Sequence, residues 1–270
     1  MTLYLREDFE QAWKGKDPHT LLDSMDGEVF RELEARRTFR FEQNGLGYFA
    51  KVHRGVGWGE IFENLLRLRM PVLGARNEWA ALQKLQALDL KTMVPVAYGE
   101  RGCNPAKIHS FLVTEELRDM ITLEDLGEEW KQTPPDCGLK RTIISKLATI
   151  SRTLHDNGVN HRDYYLCHFM FNRNQLSKPE SLDFYLIDLH RAQIRPQLPD
   201  RWRLKDISGL YFSAMEYGLT QRDSFRFIKT YTGLPLKEAL KKYAKLWKKI
   251  ESKAEKLQKR MERKAGHPNY

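Results

Sequence analysis

The residues best suited to chemistry in this 270-residue chain are His161-Arg162-Asp163 and, 25 positions after Asp163, Ile187-Asp188. Each aspartate stands at the edge of a regular element. Asp163 follows residues 139–154, where Ile143, Ile144, Leu147, Ile150 and Leu154 fall at helical spacing, and then Gly158, the residue a helix end favours in left-handed conformation. Asp188 closes an extended run, 182–188, which comes after another at 168–172. Two carboxylates fixed in this way suit phosphoryl transfer, one accepting the proton of an attacking hydroxyl and one holding a hard metal ion. Asp163 is the candidate catalytic base, and Asp188 the candidate metal ligand.

Other elements must bring a cation to the phosphates. Residues 27–53 read as three strands, with Phe39-Arg40-Phe41 alternating, Asn44-Gly45 a tight-turn signal, and an extended run that carries Lys51. Lys51 reads either as a phosphate-holding ammonium or as a surface lysine on an edge strand. A helix over 76–88 places Glu78 near its start, to pair with Lys51 or simply to favour the positive end of the helix. Residues 57–70 form an amphipathic helix, a core-packing pattern before a lipid-contacting one. Strands are expected at 94–98 and 110–116, and a buried helix at 202–217. Asp206 near its start is placed to cap the helix.

A longer text surrounds these residues. Residues 160–169 (NHRDYYLCHF), 186–195 (LIDLHRAQIR), 210–213 (LYFS) and 218–223 (GLTQRD) resemble the lipopolysaccharide core heptose(I) kinases of Gram-negative bacteria, in the protein-kinase-like superfamily. The likeness runs from about residue 27 to 236. It implies an α+β, two-lobed protein-kinase-like fold: a small antiparallel-sheet lobe over 1–116, a larger mainly helical lobe over 117–236, and a basic C-terminal helix over 237–270. It implies ATP and Mg²⁺ as cofactors and a heptose hydroxyl, position 4 of the first heptose, as acceptor. Lys51 and Glu78 would serve the nucleotide's phosphates, the backbone at Glu116 and Leu117 its adenine. Asp206 resembles the aspartate that braces the catalytic loop in kinases; bracing and capping are not exclusive. Kinases usually carry a metal-binding asparagine five positions after the catalytic aspartate; here that position is His168, a softer ligand that takes metal poorly or contacts a phosphate. The glycine-rich loop is also missing, and Arg31, Arg36 and Arg37 offer side-chain charge in its place.

Only 17 residues separate Asp188 from Asp206, too few for the segment on which protein kinases dock a peptide. They hold His190, Arg191, Arg195, Arg201, Arg203 and Lys205, a basic rim that suits an anionic acceptor such as the lipopolysaccharide inner core. His190, Arg191 and Arg195 are the candidate substrate-binding residues; ordinary loop salt bridges are the alternative.

Composition bounds the rest. Of the formal charge of +9, residues 237–264 supply +8, from twelve Lys/Arg and four Glu. Leu240, Tyr243, Trp247, Ile250, Ala254, Leu257 and Met261 make a helical seam, expected to dock on the protein's own body, or else to lie on an anionic membrane or meet an acidic partner protein. Nucleic acid is not expected, because the aromatic and glycine patterns of its common binding modules are absent. Three scattered cysteines form no disulfide framework, residues 1–17 lack a signal-peptide core, and no run is long enough to span a bilayer, so a cytoplasmic protein is expected; the basic tail and the lipid-linked acceptor that the resemblance implies would place it at the inner face of the inner membrane. Two other functions fit some of the residues. One is a kinase-like binding module without turnover. The other is a metal-dependent phosphohydrolase built from His155, His161, Asp163, His168, Asp188 and His190.

Overall fold

The computed structural model describes residues 1–66 and 71–265. The chain divides into two compact units. The first holds Met1–Ala87, Thr92–Arg118 and the short stretch Asp188–Arg191. Its strands are β1 (Thr2–Leu5), β2 (Glu28–Leu33), β3 (Arg36–Gln43), β4 (Leu46–His53), β5 (Pro95–Arg101) and β6 (His109–Glu115), in the antiparallel order β1-β5-β6-β4-β3-β2. Asn44 and Gly45 both take positive φ, 54° and 75°, which is what lets a two-residue turn join β3 to β4.

Strand alternation assigns the faces. Tyr48, Ala50 and Val52 on β4 pack with Phe39, Phe41, Phe111 and Val113, and this face is covered by Phe9 of α1 (Glu7–Ala12), Trp13 directly after it and Leu22 of α2 (Pro18–Ser24). Lys51 and His53 therefore point to the other face. The N-terminal β1, α1 and α2 carry too few apolar anchors to show a period in the sequence. The helix expected at 57–70 is α3 (Gly57–Leu66), and its continuation through Leu68 and Met70 lies outside the described residues. It is not the core-packing helix expected: Ile61 is buried, but Trp58, Phe62, Leu65 and Leu66 are exposed. The next helix, α4 (Arg76–Ala87), buries Glu78, Ala81, Leu82 and Leu85.

The second unit takes Leu88–Lys91, Asp119–Ile187 and the chain from Ala192 on. It contains β7 (Met120–Thr122), α5 (Leu123–Gln132), α6 (Cys137–Asp156), β8 (Val159–Asn160), β9 (Phe169–Asn172), β10 (Tyr185–Leu186) and β11 (Gln193–Ile194). Helices α7 (Asp200–Ala214), α8 (Gln221–Thr232), α9 (Leu236–Lys242) and α10 (Ala244–Ala265) follow. Asp136 caps α6 by accepting from the Gly138 and Leu139 amides. Gly158 after it has φ +74°, and a Cβ there would lie 1.7 Å from the Arg195 carbonyl oxygen, so no other residue fits.

The C-terminal seam is formed in two pieces. The chain breaks at Tyr243, between α9 and α10, and Ala239 rather than Leu240 is the buried residue of α9. On α10, Ile250 and Ala254 are buried, and Ile250 packs with Ile207, Tyr231 and Ala148. The seam thus docks on its own unit, and Met261 at its far end stays half exposed. Among the described residues, no helix is long and apolar enough to cross a membrane.

A buried histidine ties the sheet unit to pH. His19 is fully buried against His109 and Phe111, and neither ring nitrogen has a hydrogen-bond partner. Loss of water pushes its pKa down to about 4. Between the unfolded value near 6.5 and about 4, the unfolded chain binds a proton that the native one does not. Stability contributed by neutral His19 is complete above pH 6.5 and falls on acidification, by at most about 1.4 kcal/mol per pH unit. The urea midpoint should drop between pH 7 and pH 5, and His19→Phe, which keeps a ring in the space, should reduce that drop.

Candidate active site

In the sheet unit, alternation brings Lys51 to the face on which α4 lies, and the first turn of α4 supplies Glu78. The Lys51 ammonium is 2.6 Å from Glu78 Oε1 and 3.9 Å from Asp188 Oδ1. Glu78 is almost wholly buried, and a carboxylate there needs a cation. Its second oxygen has no partner, which leaves the pair under-satisfied. Asp188 has φ 58°, a left-handed conformation that a non-glycine residue adopts at a cost of about 1–3 kcal/mol. Its Oδ1 accepts from His190 Nδ1 at 2.6 Å. His190, expected to touch substrate, is thus a partner of the candidate metal ligand.

The ladder also sorts the arginines. Arg31 pairs with Thr38, which pairs with Lys51, and Arg36 pairs with His53, so both lie on the face of Lys51. Arg36 Nε is buried without a partner. Arg37 lies on the opposite face, donates to the Met25 carbonyl and stacks over Phe39, so it offers nothing to a phosphate at Lys51. His53 is buried beside Arg36, Lys51 and His190; burial first, and those charges second, push its pKa down to about 3.

In the helical unit, the loop after β8 is fastened from several sides. Asp206, buried in α7, accepts the His161 amide at 2.7 Å and the Arg162 amide at 2.9 Å. It is a brace and not a cap, since α7 begins six residues earlier at Asp200. Arg162 is held at φ 75°. His161 Nε2 donates to the Ile187 carbonyl, and the Ile187 amide donates to the His168 carbonyl. His168 Nδ1 donates to the Asp163 carbonyl at 2.6 Å, and its ring stacks on His161. The imidazole proposed as a metal ligand therefore pins the backbone of the candidate base.

Behind Asp206 runs a buried chain that the sequence did not disclose. Arg203 Nη1 donates to the Tyr231 hydroxyl (3.2 Å), Tyr231 bonds His155 Nδ1 (2.8 Å), and His155 Nε2 faces Asp206 (3.5 Å). Trp247 of α10 packs its ring against Tyr231. With the proton on Nε2, every donor points toward the Asp206 carboxylate, an arrangement in which hydrogen bonds reinforce one another. His155 is therefore engaged on both nitrogens, which removes it from the hydrolase set. Among the described residues, no group of three or more His, Cys, Asp or Glu is placed to hold a metal ion.

The remaining candidates divide. Glu116 forms a bidentate pair with Arg40 at 2.7 and 3.0 Å, which holds its carboxyl below the usual range, and its amide donates to the Gly47 carbonyl. That amide is spent, so an adenine would have to use other backbone groups of Glu116 and Leu117. Arg191 sits half-buried in the turn Leu189–Arg191. Arg195 bonds Asn160 and Gln193 through their amide oxygens, so much of its hydrogen bonding is local. Arg203 is committed to Tyr231 and Asp156.

A sheet-bearing unit with a Lys–Glu pair beside an aspartate, and a helical unit with a braced His-Arg-Asp loop, define a protein-kinase-like fold. The model of the lipopolysaccharide kinase (Kdo/WaaP) family matches residues 22–231, and the chain belongs to that family. A lipopolysaccharide core heptose(I) kinase, WaaP, of Pseudomonas aeruginosa is 48% identical over 263 residues, covering 97% of this chain and 98% of its own. One from Escherichia coli is 50% identical over 261 residues, with the same coverage. A solved structure of WaaP in complex with acyl carrier protein superposes with a TM-score of 0.84 at 44% identity, over 95% of this chain and 99% of that one.

The buried chain behind Asp206 makes a prediction. Tyr231→Phe keeps the ring packing and removes the hydroxyl, and should lower kcat roughly ten-fold with little change in KM. Its melting temperature should fall by only a few degrees, as expected for about 1 kcal/mol. Steady-state kinetics and thermal denaturation read the two effects separately.

Proposed function

We propose that this chain transfers the γ-phosphate of ATP to a heptose hydroxyl of the lipopolysaccharide inner core, position 4 of the first heptose, in a Mg²⁺-dependent reaction at the cytoplasmic face of the inner membrane. The observation that carries the reading is the Lys51 ammonium held beside Glu78 and Asp188 on one face of the sheet. Near-half identity over almost the whole length to heptose(I) kinases supports the choice of acceptor.

The donors on hand fit the cofactors. Mg²⁺ is commonly held by one or two carboxylates together with substrate phosphates, and Asp188 offers a part-exposed carboxylate. When bound, the metal and nucleotide supply the phosphoryl group and neutralise its developing charge. Lys51 holds phosphate oxygens, and Glu78 keeps the ammonium aimed by pairing with it on the buried side. Arg31 and Arg36 add charge from the same face, standing in for the glycine-rich loop. Leu117 and the Glu116 carbonyl contact the adenine. Asp163 accepts the proton of the attacking sugar hydroxyl, and the His168 bond to its carbonyl fixes where that carboxylate starts from. His190 orients Asp188, while Arg191 serves the anionic acceptor. A binding module without turnover loses one of its motives here, because His168 has a task in the loop that needs no metal.

The relative solved with acyl carrier protein extends the list of partners. In this chain, a cavity of about 600 Å³ in the helical unit is lined by Ile144, Leu147, Ile207, Leu210, Phe227 and Ile250. We infer that this chain also meets an acyl carrier protein, and that the cavity takes the acyl chain.

Asp163→Ala should reduce phosphate transfer from ATP to purified inner-core acceptor by about 10²–10⁴-fold, the usual range for loss of a general base. Lys51→Ala should raise the KM for ATP and lower kcat. Transfer by the native chain no greater than that of Asp163→Ala would remove the kinase reading and leave the binding module, and full activity in Lys51→Ala would bring back the metal-dependent phosphohydrolase.

A further inference from the structure

Asn160, Arg195, Arg201 and Trp202 gather donors with too few acceptors. Asn160 is fully buried in β8, directly before the His-Arg-Asp loop, and its Oδ1 accepts from Arg195 Nη1 at 2.5 Å. That bond fixes which end of the amide is oxygen, and the Nδ2 donor is left buried without a partner. Trp202 Nε1 is buried and unpartnered as well. The guanidinium groups of Arg195 and Arg201 lie 5.0 and 5.5 Å from the Trp202 ring centre, and that of Arg162 lies 5.6 Å away.

The charge here is unbalanced. Arg195 bonds only neutral amide oxygens, those of Asn160 and Gln193. Among the described residues, no carboxylate is within ion-pair distance of Arg195 or Arg201. Each unmet buried donor costs about 1–3 kcal/mol, and clustered like charges add repulsion. An oxyanion beside Arg195 and Arg201 would supply the missing counter-charge, since guanidinium forks bind phosphate and carboxylate oxygens in pairs.

We propose that Asn160, Arg195, Arg201 and Trp202 form an anion subsite that binds a phosphate or carboxylate group of the acceptor, apart from the phosphoryl group being transferred. Burial, and then the neighbouring Arg201, hold the Arg195 pKa below its ordinary value, the direction expected of a cation awaiting its counter-charge. The site lies at the root of the catalytic loop: Asn160 precedes His161, and the Arg195 amide donates to the Gly158 carbonyl. Anion binding there would report to Asp163 that an acidic sugar is in place. The choice of acceptor as the anion's source rests on the kinase reading above.

The test uses the full-length protein and two variants: Arg201→Ala, at an exposed position where folding is not at risk, and Trp202→Phe, which keeps a ring and removes the Nε1 donor. Calorimetric titration with inorganic phosphate and with acetate reads the subsite without turnover. Binding of at least one in the native protein, weakened several-fold in both variants, is expected. With native inner-core acceptor, Arg201→Ala should raise the acceptor KM about ten-fold while the KM for ATP holds. Loss of that increment on dephosphorylated acceptor identifies a phosphate as the ligand, and loss on carboxyl-reduced acceptor identifies a carboxylate. An equal increment on every acceptor, or no difference between native and variant proteins in either measurement, overturns the proposal and leaves water as the occupant. A chain that bound phosphate in this way but transferred nothing to any core acceptor would sink the functional reading and not the anion subsite.

Discussion

The helical unit depends on one buried carboxylate. Asp206 holds the amides of His161 and Arg162 together, and without it the left-handed backbone at Arg162 would relax. Such a conformation costs about 1–3 kcal/mol. Two charge-assisted bonds in a water-free setting are of the size needed to offset it. Asp206 is itself buried, and its partners include the two amides and the His155 chain. The loop geometry and the packing of α8 and α10 are therefore coupled through this one side chain. An isolated loop of the same sequence would have no reason to adopt it.

The sheet unit meets a different constraint, a buried acid that needs a cation beside it. Lys51 is anchored by a buried acid and stands near a more exposed one. His53, two residues along on the same face, stays neutral because burial and the nearby cations oppose its protonation. A proton there would add a charge with no acid to hold it. Arg36, across the ladder, supplies permanent positive charge in the same region, and its buried Nε has no partner among the described residues. Strand alternation alone selects Arg31 and Arg36 for this face and sends Arg37 to the other.

Much of this was legible in the sequence, for definite reasons. The hairpin announced itself by Asn44-Gly45, α6 by its apolar period and its glycine stop, and the catalytic loop by its text. The Lys51–Glu78 contact followed once strand and helix were placed. What stayed hidden was set by distance along the chain. The tail's period was plain, but a heptad pattern runs through Tyr243 without marking the break there. Asp206 offered two readings, cap or brace, because a sequence shows which acceptors exist and not which donors reach them. Tyr231 and Arg203 gave no sign of meeting His155, being 76 and 48 positions away. The N-terminal β1, α1 and α2 rest on Phe9, Trp13 and Leu22, anchors too sparse to form a pattern.

The basic segment after Asp188 shows why charge runs mislead when read as a single surface. His190 turns to Asp188, Arg203 to Tyr231 and Asp156, and Arg195 to two amide oxygens. Each cation was available to an acceptor in the sequence, yet the fold spends several of them within the chain. The useful distinction lies in what they are spent on. Arg203 has carboxylate and phenol partners, and a ligand would have to compete with both. Arg195 has only neutral oxygens, and its full charge remains to be met. By that criterion Arg195, whose internal partners are polar but uncharged, differs from Arg203, and counting positive residues along a loop cannot show the difference.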